Sequence, residues 1–172
     1  MIEEVELYKK KGRKLKAFGR KARKRLLAKP RRKIKVGSTS KLLKAADAIF
    51  SRFVRLSRAD ENGTVACYTC GYKNHYKKMQ NGHYISRYYK KYRFSEKQCR
   101  VQCRMCNMWK SGDLATFRQN LLKEIGEPAL LSMESDYKEL FPLTPEYLNE
   151  IISHYTPLVD KLLKNSTNEL NS

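Results

Sequence analysis

The chain has 172 residues, of which 41% are hydrophobic, and it carries a formal net charge of +20. This size and composition predict one domain of ordinary size with a modest core. No stretch reaches the roughly 18 uncharged apolar residues of a membrane span, and the charged N-terminus does not read as a signal peptide, so we expect a soluble intracellular protein.

The positive charge is unevenly distributed along the sequence. Residues 1–36 hold 16 lysines and arginines against 3 acidic residues, residues 37–112 hold 16 against 4, and residues 113–172 hold 5 against 10. Such a field attracts polyanions, and nucleic acid is the commonest large polyanion inside cells. The pattern therefore predicts nucleic-acid binding, while a solubilising charge surplus or a patch for anionic membrane remains an alternative.

Residues 1–37 form a basic arm with too few apolar residues to bury a face, and we expect it to be disordered or helical only on its target. A helix follows, with Ser38, Thr39 or Ser40 as its N-cap and Asn62-Gly63 as its end. Its broad apolar stripe predicts a core-facing surface. The stripe consists of Leu42, Leu43, Ala46, Ile49, Phe50, Phe53, Val54 and Leu56.

Short aromatic and β-branched stretches between residues 64 and 102, "TVACYTCG" and "GHYISRYY", predict two or three short strands. Helical periodicity resumes near Asn107 and ends at Gly126. A last helix is predicted from Thr144 as N-cap and Pro145 as first residue, and Pro157 should kink or restart it. The predicted class is α+β, with a domain at 38–126 and a helical extension at 127–172.

Two cysteine pairs, "CYTC" and "CRMC", are separated by 32 residues. A two-residue spacer lets both thiolates of a pair reach one ion, and four thiolates suit tetrahedral zinc. The ligands would be Cys67, Cys70, Cys103 and Cys106. The alternative is that both cysteine pairs are reduced and bind no metal. Cys99 is interpreted as a small buried hydrophobe, although it could compete as a ligand.

Four thiolates leave zinc no open position, so this ion would be structural. It would fasten the strand that carries His83 to the helix that begins near Cys106, which brings His83 toward Asn107. Read together, "GHYISR" and "CRMCNMWKSGD" resemble the HNH, or ββα-metal, nucleases. The longer set "CYTCG…QNGHYISR…RF…VQCRMCNMWKSGDL…FRQNL" is similar to the lambdoid-phage NinG (Rap) family over roughly residues 40–126.

The resemblance implies a small zinc-stapled ββα centre flanked by helices and a recombination endonuclease that acts on branched DNA in the cytoplasm of a bacterial host. His83 matches the general base, and Asn107 matches the ligand of a catalytic Mg²⁺ or Mn²⁺. Gln98 stands where the family has the residue that holds the base or its loop. Gly82 precedes the base where many HNH enzymes have a metal ligand, which leaves the second ligand unassigned. Asp113 could be that acidic partner, or it could interact with the helix dipole.

Tyrosines alternate with cations in "HYISRYYKKYRF", a pattern that suits the stacking of unpaired bases and the holding of phosphates. Packing of the tyrosines in a small strand pair is equally compatible with it. The predicted nucleic-acid contacts are Arg87, Arg93, Lys90, Lys91, Lys110 and Tyr84. His75 is predicted to be solvent-exposed in a loop, and His154 to lie on a helix surface or to pack against a helix.

Two other functions compete with a nuclease. One is a non-catalytic zinc-stapled nucleic-acid-binding module in which His83 is incidental, and the other is an RNA-binding accessory protein. Symmetric resolution of a four-way junction would require two active sites and hence a homodimer. Recombination proteins are further candidate partners through the family resemblance.

Overall fold

The computed structural model describes residues 39–168. The basic arm predicted for residues 1–37 lies outside the described residues. Within these residues the α-helices are α1 (Thr39–Leu56), α2 (Leu114–Ile125), α3 (Glu127–Asp136) and α4 (Pro145–Asn168). The strands of the same part of the chain are β1 (Thr64–Ala66), β2 (Lys73–His75), β3 (Gln80–His83) and β4 (Cys99–Gln102). The fold is therefore mixed α+β, and each helix of this part of the chain is too short or too polar to cross a bilayer.

The strands form two separate antiparallel pairs, β1 with β2 and β3 with β4. In the second pair His83 lies opposite Cys99 and Gly82 lies opposite Arg100. The prediction of two or three strands was wrong in number. Strands of three or four residues are too short to show alternation, and β2 has the wholly polar sequence KNH.

The main core lies between α1, α4 and the two strand pairs. The predicted stripe of α1 supplies the buried residues Ala46, Phe50 and Val54. Phe50 meets Tyr155 of α4 edge to face, with ring centroids 5.0 Å apart. Cysteines 67, 103 and 106 belong to the same core. The C-terminal helix α4 is thus packed on the same apolar centre as the cysteine cluster.

A second, smaller core joins α2 and α3 to the loop that follows β3. Phe117, Leu121 and Leu130 are fully buried there, together with Ile85 of the loop. Helix α3 was not predicted from the sequence. Pro128 falls at the start of α3, a position that proline tolerates, and the short element shows little apolar periodicity.

Two helix boundaries differ from the predictions. Helix α1 ends at Leu56 rather than at Asn62-Gly63, and the carboxylate of Asp60 accepts hydrogen bonds from the backbone of Asn62 and Thr64. Helix α2 begins at Leu114, because residues 105–109 form a π-helical turn instead of α-helix. The residues between the two elements, KSGD at 110–113, contain no apolar side chain, and Gly112 there has a φ of +90°, so the break has a signal in the sequence.

The caps of the remaining helices agree with the sequence. Gly126 ends α2 with a φ of 78°, and the Thr144 hydroxyl accepts a hydrogen bond from the backbone of Tyr147 at 3.2 Å. Helix α4 runs through Pro157 and does not restart there. Proline leaves the carbonyl four residues earlier without its donor, and that residue, Ser153, is exposed to water.

The packing of α4 on the main core gives a prediction for stability. Leu148 is fully buried whereas Leu140 is fully exposed, so the same substitution can be made at both. We expect Leu148→Ala to lower the free energy of unfolding by about 2–5 kcal/mol and Leu140→Ala to have little effect. Denaturant unfolding measures both values, and equal values would show that α4 does not contribute to the core.

Candidate metal centre and adjoining cleft

The structure brings the four predicted cysteines together. The sulfur atoms of Cys67, Cys70, Cys103 and Cys106 all lie within 4.8 Å of one another, and those of Cys70 and Cys103 are 3.8 Å apart. Four sulfurs at about 2.3 Å from one zinc ion would be separated from each other by about 3.8 Å. The cluster therefore has the donor set and the dimensions of a tetrahedral zinc site.

Local backbone geometry creates this cluster. Cys67 and Cys70 occupy the turn after β1, where Gly71 adopts a φ of +72° and donates to the Cys67 carbonyl at 2.9 Å. Cys103 follows β4 directly, and its sulfur accepts from the backbone of Cys106 at 3.4 Å. The backbone of Tyr68 donates to Val101 at 2.8 Å. This hydrogen bond joins the turn after β1 to strand β4.

The thiols of the cluster differ in their ionisation. Burial opposes the ionisation of Cys67, but hydrogen bonds from Thr69 and from backbone groups outweigh it and lower its pKa to about 6. Burial and the neighbouring thiols raise the pKa of Cys106 to about 12. Several thiolates at this spacing repel one another unless a cation compensates their charge, and a divalent metal ion would do so.

Cys99 lies apart from the cluster. Its side chain is fully buried on β4, and burial raises the pKa of its thiol. Its sulfur is not among the four that approach one another. The position agrees with the interpretation of Cys99 as a small buried hydrophobe.

A cleft of about 740 Å³ lies beside the metal centre, between α1, β3 and the π-helical turn. Four of the predicted site residues line it, namely His83, Tyr84, Arg87 and Asn107. It is also lined by Asp47 and Asn81, which the sequence analysis did not select. The cysteine cluster thus adjoins a cavity that contains both residues matched to catalytic roles.

His83 is the last residue of β3, and it is half-buried. Its Nε2 lies 3.2 Å from the carbonyl oxygen of Arg93. Because a carbonyl can only accept, Nε2 carries the proton and Nδ1 carries the lone pair. Burial lowers the pKa of His83, as do the charges of Arg87 and Arg93, although backbone hydrogen bonds to Arg93 and Asn81 oppose them. The net effect favours the neutral imidazole.

Arg93 is itself held in place by an ion pair. Its guanidinium contacts both carboxylate oxygens of Asp47 on α1, at 2.9 and 2.6 Å, and donates to the Arg87 carbonyl at 2.8 Å. A paired guanidinium fork of this kind fixes orientation as well as position. Asp47 therefore fixes the position of Arg93, and the Arg93 carbonyl in turn orients the His83 ring.

Gln98 is fully buried and spans the loop that follows His83. Its Oε1 accepts from the backbone of Ile85 at 2.8 Å, and its Nε2 donates to the Tyr92 carbonyl at 2.7 Å. Gln98 does not line the cleft. Its contacts are those of a residue that holds the loop rather than one that touches a substrate.

Asn107 lies on the π-helical turn and is half-buried. Its amide nitrogen donates to Oε1 of Gln80 at 2.8 Å, and this hydrogen bond fixes the orientation of the Asn107 amide. Gly82 is packed against a second amide. A Cβ at this position would lie 2.2 Å from Oε1 of the fully buried Gln102, so no larger residue fits without a shift of Gln102.

The predicted nucleic-acid contacts fall into two groups. The side chains of Arg87, Lys90 and Lys110 are exposed. In contrast, Lys91 forms ion pairs with Asp136 at 2.7 Å and Glu139 at 2.6 Å. The first group is available to phosphates without rearrangement.

Two further predicted contacts have intramolecular partners. The hydroxyl of Tyr84 donates to Glu134 of α3, and burial together with that carboxylate raises the pKa of Tyr84 to about 12. Arg93 is bound to Asp47, as described above. Contact between these side chains and nucleic acid stays a prediction, and it would require them to exchange partners.

The remaining candidates lie outside the cleft. His75 is half-buried rather than exposed, because its Nδ1 caps the turn that follows by accepting from the backbone of Lys77. His154 is exposed on α4. Asp113 accepts a hydrogen bond from the Thr116 hydroxyl at 2.9 Å and does not line the cleft.

Asp47 and Asn81 were missed for different reasons. Asp47 is the one acidic residue in the sequence of α1, next to the apolar stripe, and that isolation was an available signal. The side-chain oxygen of Asn81 is buried without a hydrogen-bond partner in the described structure. Nothing in its sequence neighbourhood marks it.

Comparison with known proteins decides the family. The sequence profile described as "Bacteriophage Lambda NinG protein" matches residues 1–166. The chain belongs to the NinG family. It is 31% identical over 108 residues to protein ninG of Salmonella phage P22, which covers 62% of this chain and 51% of the relative. It is 29% identical over 107 residues to protein ninG of Escherichia phage lambda, which covers 62% and 50%.

The chain thus spans about half the length of these curated NinG relatives. No solved structure shows a significant match. The resemblance to the NinG family is confirmed, and the relatives are phage proteins.

The cluster of this NinG family member gives a prediction for metal binding. Cys103→Ser should remove bound zinc and destabilise the protein, because the metal's binding free energy contributes to folding. Cys99→Ser is the matched control and should retain zinc, since Cys99 lies outside the cluster. Elemental analysis and thermal unfolding measure both effects. Full zinc content in the Cys103→Ser protein would contradict the assignment.

Proposed function

We propose that this NinG family member is a metal-dependent DNA endonuclease with an HNH-like centre. The observation that carries the proposal is the meeting of His83 and Asn107 in one cleft beside the cysteine cluster. An imidazole with a lowered pKa and an amide oxygen in the same cleft supply a proton acceptor and a cation ligand. These are the minimum groups for the attack of water on a phosphodiester.

His83 acts as the general base in this proposal. Nδ1 accepts a proton from water as its oxygen bonds to phosphorus, and the bond from phosphorus to the 3′ oxygen breaks. The 3′ oxygen takes a proton from solvent, so the products carry 5′-phosphate and 3′-hydroxyl ends. Two observations support the assignment. The hydrogen bond to the Arg93 carbonyl holds the imidazole in one tautomer, and burial lowers the pKa of His83, which favours the unprotonated form.

Asn107 would hold the catalytic cation through its side-chain oxygen. Mg²⁺ and Mn²⁺ accept oxygen ligands, and Mg²⁺ keeps several waters, so a site with few protein ligands is compatible with either ion. When bound there, the cation would stabilise negative charge on the scissile phosphate and the departing oxygen. The hydrogen bond to Gln80 orients the Asn107 amide so that its oxygen is the group left for this role.

The substrate is proposed to be branched or partly single-stranded DNA, such as Holliday junctions, D-loops and flaps. The cations of residues 37–112 and the exposed Arg87, Lys90 and Lys110 support phosphate binding. Cleavage of a four-way junction on both sides would require a homodimer. Recombination proteins are proposed partners on the strength of the family resemblance.

One observation favours a second candidate, a non-catalytic zinc-stapled DNA-binding protein. Among the described residues that line the cleft, Asp47 is the one carboxylate, and Arg93 occupies it. Position 82 cannot add a ligand because Gln102 fills the space. Incubation of the protein with labelled linear, flap and four-way DNA, with and without Mg²⁺, separates the two functions.

Substitution of the proposed base tests the mechanism directly. His83→Ala should lower the cleavage rate by roughly 10²-fold or more, the usual scale for the loss of a general base, while zinc content and DNA affinity stay unchanged. His154→Ala is the matched control, since His154 is exposed on α4. A loss of zinc or of thermal stability in the His83→Ala protein would instead assign His83 a structural role.

Asn107→Ala should weaken the binding of the catalytic cation and leave proton transfer to His83 intact. We expect a lower cleavage rate that is partly restored by higher Mg²⁺ or Mn²⁺ concentration, because the substitution weakens metal binding without removing the base. Rates measured over a range of metal concentrations distinguish the two variants. A His83→Ala protein restored in the same way would contradict the separate roles.

The lowered pKa of His83 predicts the pH dependence of cleavage. The base must be unprotonated, so kcat/KM should rise with pH through the pKa of His83 and then level off, with the acid limb below about pH 6.5. The acid limb of the profile lies below this pH because burial lowers the pKa of His83 from the ordinary histidine value of 6.5. A pH profile on single-cleavage substrates measures it, and a limb above pH 7 would argue against His83 as the base.

A further inference from the structure

The π-helical turn carries a patch of large apolar side chains exposed to solvent. Met105 is 57% exposed, Met108 is 55% exposed and Trp109 is 70% exposed, and Leu114 at the start of α2 is 47% exposed. We call these four residues the apolar patch. Single exposed apolar residues are common on proteins, whereas several within ten residues of sequence beside one cleft are typical of a binding surface.

The backbone beneath the patch is firmly held. Lys110 donates to the Met105 carbonyl at 2.9 Å, and Gly112 donates to the Cys106 carbonyl at 2.9 Å. Cys106, a member of the cysteine cluster, lies within the turn and is buried. The exposure of Trp109 is thus imposed by the fold around the metal centre.

The patch adjoins the cleft proposed to hold the scissile phosphate. Asn107 and Met108 of the same turn line the cleft, as does Leu114 of the patch. The amide nitrogen of Gln80 lies 3.5 Å from the Met108 sulfur, which ties the patch to strand β3. A group bound on Trp109 would therefore be next to a nucleic-acid strand in the cleft.

The charge of the turn decides what kind of partner suits the patch. Residues 101–112 contain Arg104 and Lys110 and no acidic residue. Arg104 and Lys110 are exposed on the same turn as Trp109. Flat aromatic and thioether side chains flanked by cations match nucleobases joined by phosphates, because bases stack on aromatic rings while cations hold the backbone.

We propose that the apolar patch stacks on unpaired nucleobases of the DNA substrate, with Trp109 as the principal stacking residue. The inference rests on the proposed function in taking DNA as the ligand. It adds the contact that distinguishes branched or single-stranded DNA from continuous duplex. Bases within a duplex are covered by their neighbours, so only unpaired or branch-point bases can meet the Trp109 ring.

Trp109 is the single tryptophan of the chain, so its fluorescence reports on this site alone. The His83→Ala protein is expected to bind DNA without cleaving it, so we would titrate this protein with oligothymidine, a four-way junction and relaxed circular duplex DNA. Oligothymidine and the junction should quench the emission, and the circular duplex, which has neither ends nor branches, should not. Equal quenching by the circular duplex, or no quenching by DNA that is bound, would overturn the inference.

Affinity measurements on labelled DNA give an independent test. Trp109→Ala should weaken the binding of oligothymidine and of the junction by roughly 5-fold or more, and should leave the binding of circular duplex unchanged. Trp109→Phe should retain much of the affinity for oligothymidine and the junction, because phenylalanine also stacks on bases. Leu140→Ala, which removes a fully exposed apolar side chain elsewhere, is the matched control. A concentration-dependent blue shift of Trp109 without DNA would assign the patch to a second copy of the chain and overturn the inference.

The two proposals can fail separately. Quenching by unpaired DNA together with no cleavage by the unmodified protein would refute the nuclease and retain the stacking site. Cleavage of junctions by a Trp109→Ala protein with unchanged affinity would refute the stacking site and retain the nuclease.

Discussion

The close approach of four thiols from two distant turns is the constraint on which the rest of the structure depends. The strand pairs have only three or four residues per strand, and such short pairs are marginal in water without further support. The cysteine pairs flank a segment that includes β2, β3 and β4, so a metal bound by all four closes this segment into a loop. A metal ion held there would contribute its binding free energy to folding.

The position of the proposed base depends on that closure and on a few buried polar groups. The segment between β3 and β4 contains one short 3₁₀ turn but no strand or α-helix. Gln98 satisfies backbone groups at two points of this segment, and the Asp47–Arg93 ion pair anchors it to α1. Removing one partner of such a buried contact costs more than the contact itself stabilises, because the other partner is left unsatisfied. The loop is therefore a rigid support for His83.

Charge within the molecule is arranged so that the acidic C-terminal part offsets the basic centre. Asp136 of α3 and Glu139 pair with Lys91 of the basic centre at 2.7 and 2.6 Å. These are surface pairs, each worth little to stability. Their larger effect is to reduce the number of cations free to meet phosphates. The total of 37 lysines and arginines therefore overstates the number of cations that are available to phosphates.

The sequence by itself determined the local chemistry of this protein. Two CxxC pairs, the apolar stripe of α1, the caps at Gly126 and Thr144 and the family motif could all be recognised, since each depends on residues close together in the chain. Only the tertiary structure decided that Arg93 faces Asp47, that Gln102 fills the space beside Gly82, and that Trp109 is held exposed beside the cleft. These contacts join segments far apart in sequence, or depend on backbone turns too short and irregular to leave a periodic signal.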